Sequence, residues 1–338
     1  MVDPEKAIHP RLIYAKLIDW TVVQVAVSDA LIKAECALSD IAEGEPMTDE
    51  GDPSLCRHSC HHSPDDDAAQ DPHIGVAACC RHSQAAAGGG RMKALIDFEY
   101  YLYRIASACE YEIEWEPDVW TYACRHDEAK DGIQQFIGSV REALPDCDQV
   151  ILAVGDRASF RYGIWPQYKA NRRANRRPAG YRTLIDWVKQ AADTRGWIIR
   201  GLPDVEADDV LGILCEPGDV IVSEDKDLLT VPGLHLRGAE FIEQSKAQAD
   251  RAFYGQVLTG DSSDNYPGCP GIGAVTAAKL LDPCRTEIEM WAATAAAFQK
   301  KGVSLSGAIA QARCARILRA GEYDLAAGTP RLWQPPVA

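Results

Sequence analysis

The sequence predicts an α/β fold built on a mainly parallel sheet, and three observations predict it. Residues 94–96, 150–154 and 220–222 are short, uncharged, aliphatic runs, the pattern of strands buried on both faces of a parallel sheet. Helical patterns lie between and around them, over 101–109, 129–143, 181–194 and 207–214. Each run is followed closely by aspartate: Asp97, Asp156 after a glycine, and Asp225 with Asp227. Three strand ends carrying carboxylates place them at the carboxyl edge of the sheet, where ligands of such folds sit.

Composition agrees. A chain of 338 residues, 46% hydrophobic and 25% charged, has the make-up of a globular enzyme of one large or two ordinary domains. We expect three parts: an extension over 1–91, a catalytic domain over 92–245 and a helical, hairpin-bearing region over 246–338. The extension contains an apolar stretch over 12–42 that Asp19, Gln24, Asp29 and Lys33 interrupt, and a small-residue junction over 85–90. A cytoplasmic protein without a membrane partner is expected, with its twelve cysteines reduced. Cys56, His58, Cys60, His61, His62, His73, Cys79, Cys80 and His82 offer zinc ligands without reproducing a standard finger spacing. A disordered leader, or an upstream start wrongly included in the reading frame, accounts for this segment better than a zinc site does.

The net charge is −15, which argues against a nucleic-acid partner until its distribution is considered. Arg157, Arg161, Lys169, Arg172, Arg173, Arg176, Arg177 and Arg182 fall in one window that holds no acid. That window reads either as a polyanion footprint or as a solvated helix face.

Two further acidic groups follow. Glu206, Asp208 and Asp209 precede the apolar Val210, Leu211, Ile213 and Leu214, and Asp261 and Asp264 lie in the turn-rich Gly260-Asp-Ser-Ser-Asp264. Any one group is explained by helix capping or by an Asx turn. All of them together, at strand ends and helix starts, imply convergence, and converging carboxylates repel one another unless cations answer them. Oxygen donors without His or Cys suit Mg²⁺ or Mn²⁺, and this many ligands suffices for two ions. Two such ions promote in-line displacement at phosphorus, so phosphodiester hydrolysis is the expected chemistry. Downstream, Gly271 and Gly273 open a turn before a helix that carries Lys279. Such a hairpin grips a phosphate backbone without reading its sequence.

Taken in order, these residues resemble the 5′-to-3′ exonuclease and flap-endonuclease superfamily. The resemblance rests on Asp97; Phe160-Arg161 through Pro166-x-Tyr168-Lys-Ala-Asn-Arg172; Glu206-Ala-Asp208-Asp209; Ser223-x-Asp225-Lys-Asp227; and Gly260-Asp-Ser-Ser-Asp264 with its Pro-Gly-Ile-Gly. Pro178-x-Gly180-Tyr181, Ala315-Arg-Ile-Leu-Arg319, Glu322-Tyr323 and Leu332-Trp333 look most like the exonucleases of short-tailed lytic phages. It covers roughly 92–335 and leaves 1–91 aside. The resemblance implies a PIN-like 5′-nuclease fold with a helix-hairpin-helix-type region. It implies a first metal held by Asp97, Asp156, Glu206, Asp208 and Asp209, and a second held by Asp225, Asp227, Asp261 and Asp264. Lys169, and with it Arg172, would act on the scissile phosphate. Arg161, Arg172, Arg173 and Arg176 would meet nucleic acid, as would Gly271, Gly273 and Lys279, with K⁺ at the hairpin. Tyr168 would stack on a base or pack in the core. The implied substrate is duplex DNA with a 5′ end or flap, or an RNA:DNA hybrid, acted on in phage-type replication and recombination in a bacterial cytoplasm. A different carboxylate-metal enzyme and an inactive nucleic-acid-binding relative are the rival readings; a polymerase would need a longer chain, and the second would discard acids that are all present here.

Overall fold

The structure, a computed structural model, describes residues 92–174 and 176–337, with the side chains of 173–175 left aside. The extension over 1–91, with its cysteines and histidines, lies outside the described residues.

Strand β1 (Lys93–Asp97) lies inside a six-stranded sheet. Helix α1 (Phe98–Ala108) follows, then a hairpin of β2 (Glu110–Glu116) and β3 (Val119–Cys124), helix α2 (His126–Ala143) and β4 (Gln149–Ala153). A short α3 (Arg161–Ile164) and a 3₁₀ helix (Ala170–Ala174) lead to α4 (Tyr181–Arg195) and β5 (Trp197–Arg200). Next come α5 (Ala207–Leu214), β6 (Val220–Val222), a 3₁₀ helix (Lys226–Thr230), β7 (Gly233–Arg237) and β8 (Glu240–Gln244). The sheet order is β5-β4-β1-β6-β7-β8, parallel throughout except for β8 at the edge.

The apolar runs are unbroken because both faces of the sheet are covered. Ala94, Ile96, Val150, Leu152, Val220 and Val222 pack with α1, α2 and α4 on one side. Leu95, Ile151, Ala153 and Ile221 face α5 and the chain around Ile317, Leu318 and Tyr323 on the other. Because β4 and β6 flank β1 on opposite sides, the chain leaves β1 at a switch point of strand order, where the carboxyl ends open a crevice. Asp97 ends β1 at that point.

The helical region is α6 (Lys246–Thr259), α7 (Ala274–Leu281), α8 (Glu287–Lys300) and α9 (Leu305–Ala315). Capping boxes at Ser245 with Gln248 and at Thr286 with Glu289 set two of the starts. Phe253, Val257, Leu281, Trp291, Phe298 and Trp333 form its core, and Tyr168 joins that cluster from the loop after α3. The turn between α6 and α7 closes where Gly260 (φ 70°) and Gly268 (φ 69°) lie back to back. A Cβ on either would collide with the other strand of the turn.

The expected helix over 207–214 matches α5, and 181–194 matches α4 to within one residue. The β2–β3 hairpin is an element the sequence reading left out. Its strand alternates Glu with Tyr, Ile and Trp, a period-2 signal that could have disclosed it. The ribbon packs neither face into a core: Trp115 is 66% and Trp120 51% exposed. Among the described residues, no helix is long and apolar enough to cross a membrane.

Candidate active site

Asp97 is buried at the end of β1 and accepts a hydrogen bond from Ser223 Oγ at 2.8 Å. Burial, reinforced by the charges of Asp225 and Glu99 and only partly offset by the Ser223 hydroxyl and the Tyr100 backbone amide, pushes it up to about 6. Asp208 stands in the first turn of α5. Burial and then the charges of Asp97, Asp225 and Glu206 hold it well above the usual carboxylate range. After β6, Asp225 caps the following 3₁₀ helix by accepting from the Asp227 backbone at 2.9 Å. Asp227 is itself pushed up to about 6 by burial, then by Asp225 and Asp261. Carboxylates from β1, β6 and α5 thus burden one another, and the turn over 260–268 adds Asp261 and Asp264.

That turn is held in shape by its own acids. Asp261 Oδ1 accepts from the amides of Ser263 (2.6 Å) and Asp264 (3.3 Å), and Asp261 pairs with Tyr266 as an isolated bridge. The 3₁₀ helix over Ala170–Ala174 docks on it: Lys169 N donates to Asp264 O (2.9 Å), Asn171 to Ser262 O (2.8 Å) and Arg172 Nε to Ser263 O (2.9 Å). Lys169 adopts the left-handed region (φ 51°), a costly conformation for a side-chain-bearing residue. Its Nζ lies 2.6 Å from Glu206 Oε1 and 3.7 Å from Asp264 Oδ1, linking the start of α5 to the turn. Burial would raise Glu206, yet the charges of Arg161 and Lys169 outweigh it and hold Glu206 below its usual range. Asp264 stays raised, because burial exceeds what Lys169 and the Tyr168 hydroxyl return.

The donor set is oxygen alone, which fits a hard divalent ion and not a site for zinc in a Cys/His shell. Asp97, Asp208 and Asp225 with Glu206 could hold one ion, and Asp227, Asp261 and Asp264 another. Among the described residues, no three His, Cys, Asp or Glu side chains stand close enough to enclose an ion as placed. Mg²⁺ in particular retains several waters and takes few protein ligands directly, so a loose carboxylate rim suits it better than a tight cage.

Residues 93–254 match the sequence model described as 5′-3′ exonuclease, N-terminal resolvase-like domain. That span, 162 of the 338 residues, is similar to the N-terminal domain of 5′-3′ exonucleases. The exodeoxyribonuclease of Enterobacteria phage T3 is 27% identical over 281 residues, covering 71% of this chain and 92% of that protein. The exonuclease of Escherichia phage T7 is likewise 27% identical over 281 residues, covering 71% and 93%. A 5′-3′ exonuclease of Mycobacterium tuberculosis is 34% identical over 189 residues, covering 44% of this chain and 59% of its own length. Among solved structures, the T5 D15 protein co-crystallised with metal ions superposes with a TM-score of 0.48 at 14% identity over 67% of this chain and 90% of that one, a loose likeness.

Several expected roles need correction. Asp209 is fully buried and both its oxygens are engaged: Oδ1 by Arg161 (2.7 Å) and the Leu318 amide (3.0 Å), Oδ2 by Arg161 (2.6 Å) and the Glu206 amide (3.1 Å). It is a core anion and not a metal ligand. Arg161, 2% exposed, answers that anion and cannot meet nucleic acid. Tyr168, 1% exposed, does not stack on a base; its hydroxyl lies 2.8 Å from Glu206 Oε2 and 2.7 Å from Asp264 Oδ2. Asp156 is exposed and turns its carboxylate to the backbone amides of Arg157 (2.6 Å) and Asp204 (3.1 Å). Those amides, Asp204 first, lower its pKa, whereas Asp97, Asp208 and Asp227 are raised; it caps a loop instead of joining them. Arg176 is bidentate to Glu110 (2.7 and 2.7 Å) and stacks 3.8 Å over the Tyr122 ring, so its charge is already matched. The Arg173 side chain lies outside the described ones. Arg172, half-exposed, donates to Asp264 Oδ1 at 2.8 Å. Gly271, Gly273 and Lys279 are exposed on the hairpin and α7.

Sequence reasoning gave no role to Ser223, although it lies in the quoted Ser223-x-Asp225 motif, nor to Glu110, whose partner is 66 residues away.

The raised acids give a pH dependence of stability without metal. An acid whose pKa rises on folding favours the folded state below its unfolded pKa, near 4, and loses that contribution as pH rises toward the folded value. For Asp97, at about 6, the metal-free protein should lose about 2 kcal/mol from this group between pH 4 and pH 6.5. Urea denaturation with EDTA across that window checks it. Asp97→Asn should flatten the profile, and an unchanged slope would show that Asp97 is not the origin.

Proposed function

We propose that this chain is a divalent-metal-dependent 5′-to-3′ exonuclease that hydrolyses phosphodiester bonds from 5′ ends of duplex DNA, with flap or RNA-primer removal as a related action. Residues 92–245 would form the catalytic part and 246–338 the part that grips duplex backbone. The observation that carries this reading is Lys169, held in a left-handed conformation with its ammonium between Glu206 and Asp264, beside carboxylates that burial and mutual repulsion keep raised.

A pair of hard divalent ions supplies, when bound, charge for the attacking water and for the leaving oxygen. Asp97, Asp208, Asp225 and Glu206 would hold the first ion, and Asp227, Asp261 and Asp264 the second. Lys169 would offset charge that develops on the scissile phosphate. Arg172 keeps Asp264 and the 3₁₀ helix in register. The amides near Gly271 and Gly273, at the start of α7, present donors to backbone phosphate without reading bases, and a monovalent cation such as K⁺ would fit at that turn.

The test is cleavage of a 5′-labelled duplex and of a matching 5′-flap substrate, with Mg²⁺ or with EDTA. Metal-dependent release of short 5′ products is expected, and product length separates stepwise from flap cleavage. Retained DNA binding without any cleavage would instead support the inactive binding protein.

A further inference from the structure

Arg161 and Asp209 form a buried ion pair that joins three distant parts of the chain. Besides its two bonds to Asp209, Arg161 donates from Nε to Cys314 O (2.9 Å) and from Nη2 to Arg316 O (2.6 Å). Asp209 in turn accepts from Leu318 N (3.0 Å), 109 residues downstream, and from Glu206 N (3.1 Å). The segment that receives these bonds also packs on α5. Ile317 and Leu318 share a cluster with Val210, Leu211 and Ile213, and Leu318 O runs so close to Gly212 that a Cβ there would collide with it.

A buried ion pair rarely stabilises a fold more than apolar residues of equal volume would, so its energetic return alone does not account for it. Its position does offer an account. Asp209 directly follows Asp208 and closes the capping box with Glu206, so whatever fixes Asp209 fixes both neighbours. We propose that Arg161 and Asp209 are positioning residues, strapping the first turn of α5 to the segment over 314–318. The affinity of the Glu206 and Asp208 carboxylates for a divalent ion then depends on that distant segment. This inference rests on the metal-binding reading above.

Mn²⁺ binding to the full chain without DNA, followed by calorimetry, tests it without relying on turnover. The wild type should bind, and Asp208→Asn should weaken binding. Arg161→Met/Asp209→Leu removes both charges together and should remain folded by circular dichroism, yet bind Mn²⁺ about tenfold or more weakly, as loss of outer-shell support does. Its cleavage should return toward the wild-type kcat at raised Mn²⁺, a shift in metal requirement that simple destabilisation does not produce. Gly212→Ala displaces the same segment without touching a charge and should weaken Mn²⁺ binding in the same direction; it decides the matter should the double variant fail to fold. Wild-type Mn²⁺ affinity in a folded double variant, or in Gly212→Ala if the double variant does not fold, overturns the positioning role. A wild type that binds no Mn²⁺, or an Asp208→Asn variant that binds as well as wild type, overturns the metal reading itself.

Discussion

Replacing Lys169 by Met should lower kcat by about 10²- to 10³-fold, the cost of removing one preorganised stabiliser of transition-state charge. The side chain is mostly buried between Glu206 and Asp264, at 2.6 and 3.7 Å. The charges of those carboxylates outweigh its desolvation and keep it firmly protonated, so it remains a fixed cation at any working pH. Met preserves length and apolar stem while deleting the charge. Single-turnover cleavage with enzyme in excess isolates the chemical step, and on the proposed reading DNA affinity should change little, because Lys169 would be one phosphate contact of several. A loss under tenfold, or one confined to binding, would remove Lys169 from the chemistry. The backbone constraint adds a second expectation: its φ of 51° suits glycine better than any other residue, so the fold holds this lysine at a conformational cost.

Arg161→Ala should destabilise the protein by about 3 to 5 kcal/mol, because it leaves Asp209 as an unanswered charge in the interior. Both partners are almost fully enclosed, at 2% and 0% exposure, so water cannot take the arginine's place cheaply. The carbonyls of Cys314 and Arg316 lose their donor as well. Urea denaturation at neutral pH gives the number directly. Arg161→Met/Asp209→Leu should recover most of the loss, since no charge is then stranded. A single variant within 1 kcal/mol of wild type would show that Asp209 finds another partner or takes up a proton at little expense.

The two expectations draw on opposite uses of arginine and lysine in one basic window. From the sequence, Arg161, Lys169, Arg172 and Arg176 look alike, a stripe suited to a polyanion. In the structure Arg161 is a core cation, Lys169 bridges two carboxylates, Arg172 holds a turn and Arg176 is pinned to the β2–β3 hairpin. Carboxylates divide in the same manner. Asp208 and Asp209 are adjacent in the chain, but successive residues of a helix point about 100° apart, so one turns toward Asp97 and Asp225 while the other turns into the core toward Arg161. Asp156 follows a strand as Asp97 ends one, yet the loop after β4 turns it toward backbone amides.

What the sequence determined by itself is the local frame. Short uncharged aliphatic runs read as strands covered on both faces, aspartates after them are placed near the carboxyl edge, and the turn-rich segment from Gly260 sets Asp261 and Asp264 three residues apart. These follow from periodicity, strand direction and backbone sterics, which act over a few residues. Only the tertiary structure decided which charge answers which. Coulombic pairing depends on separation and on the surrounding dielectric, not on distance along the chain. Asp209 therefore waits on Arg161, 48 residues before it, and on Leu318, 109 after it, to become a core anion instead of a ligand.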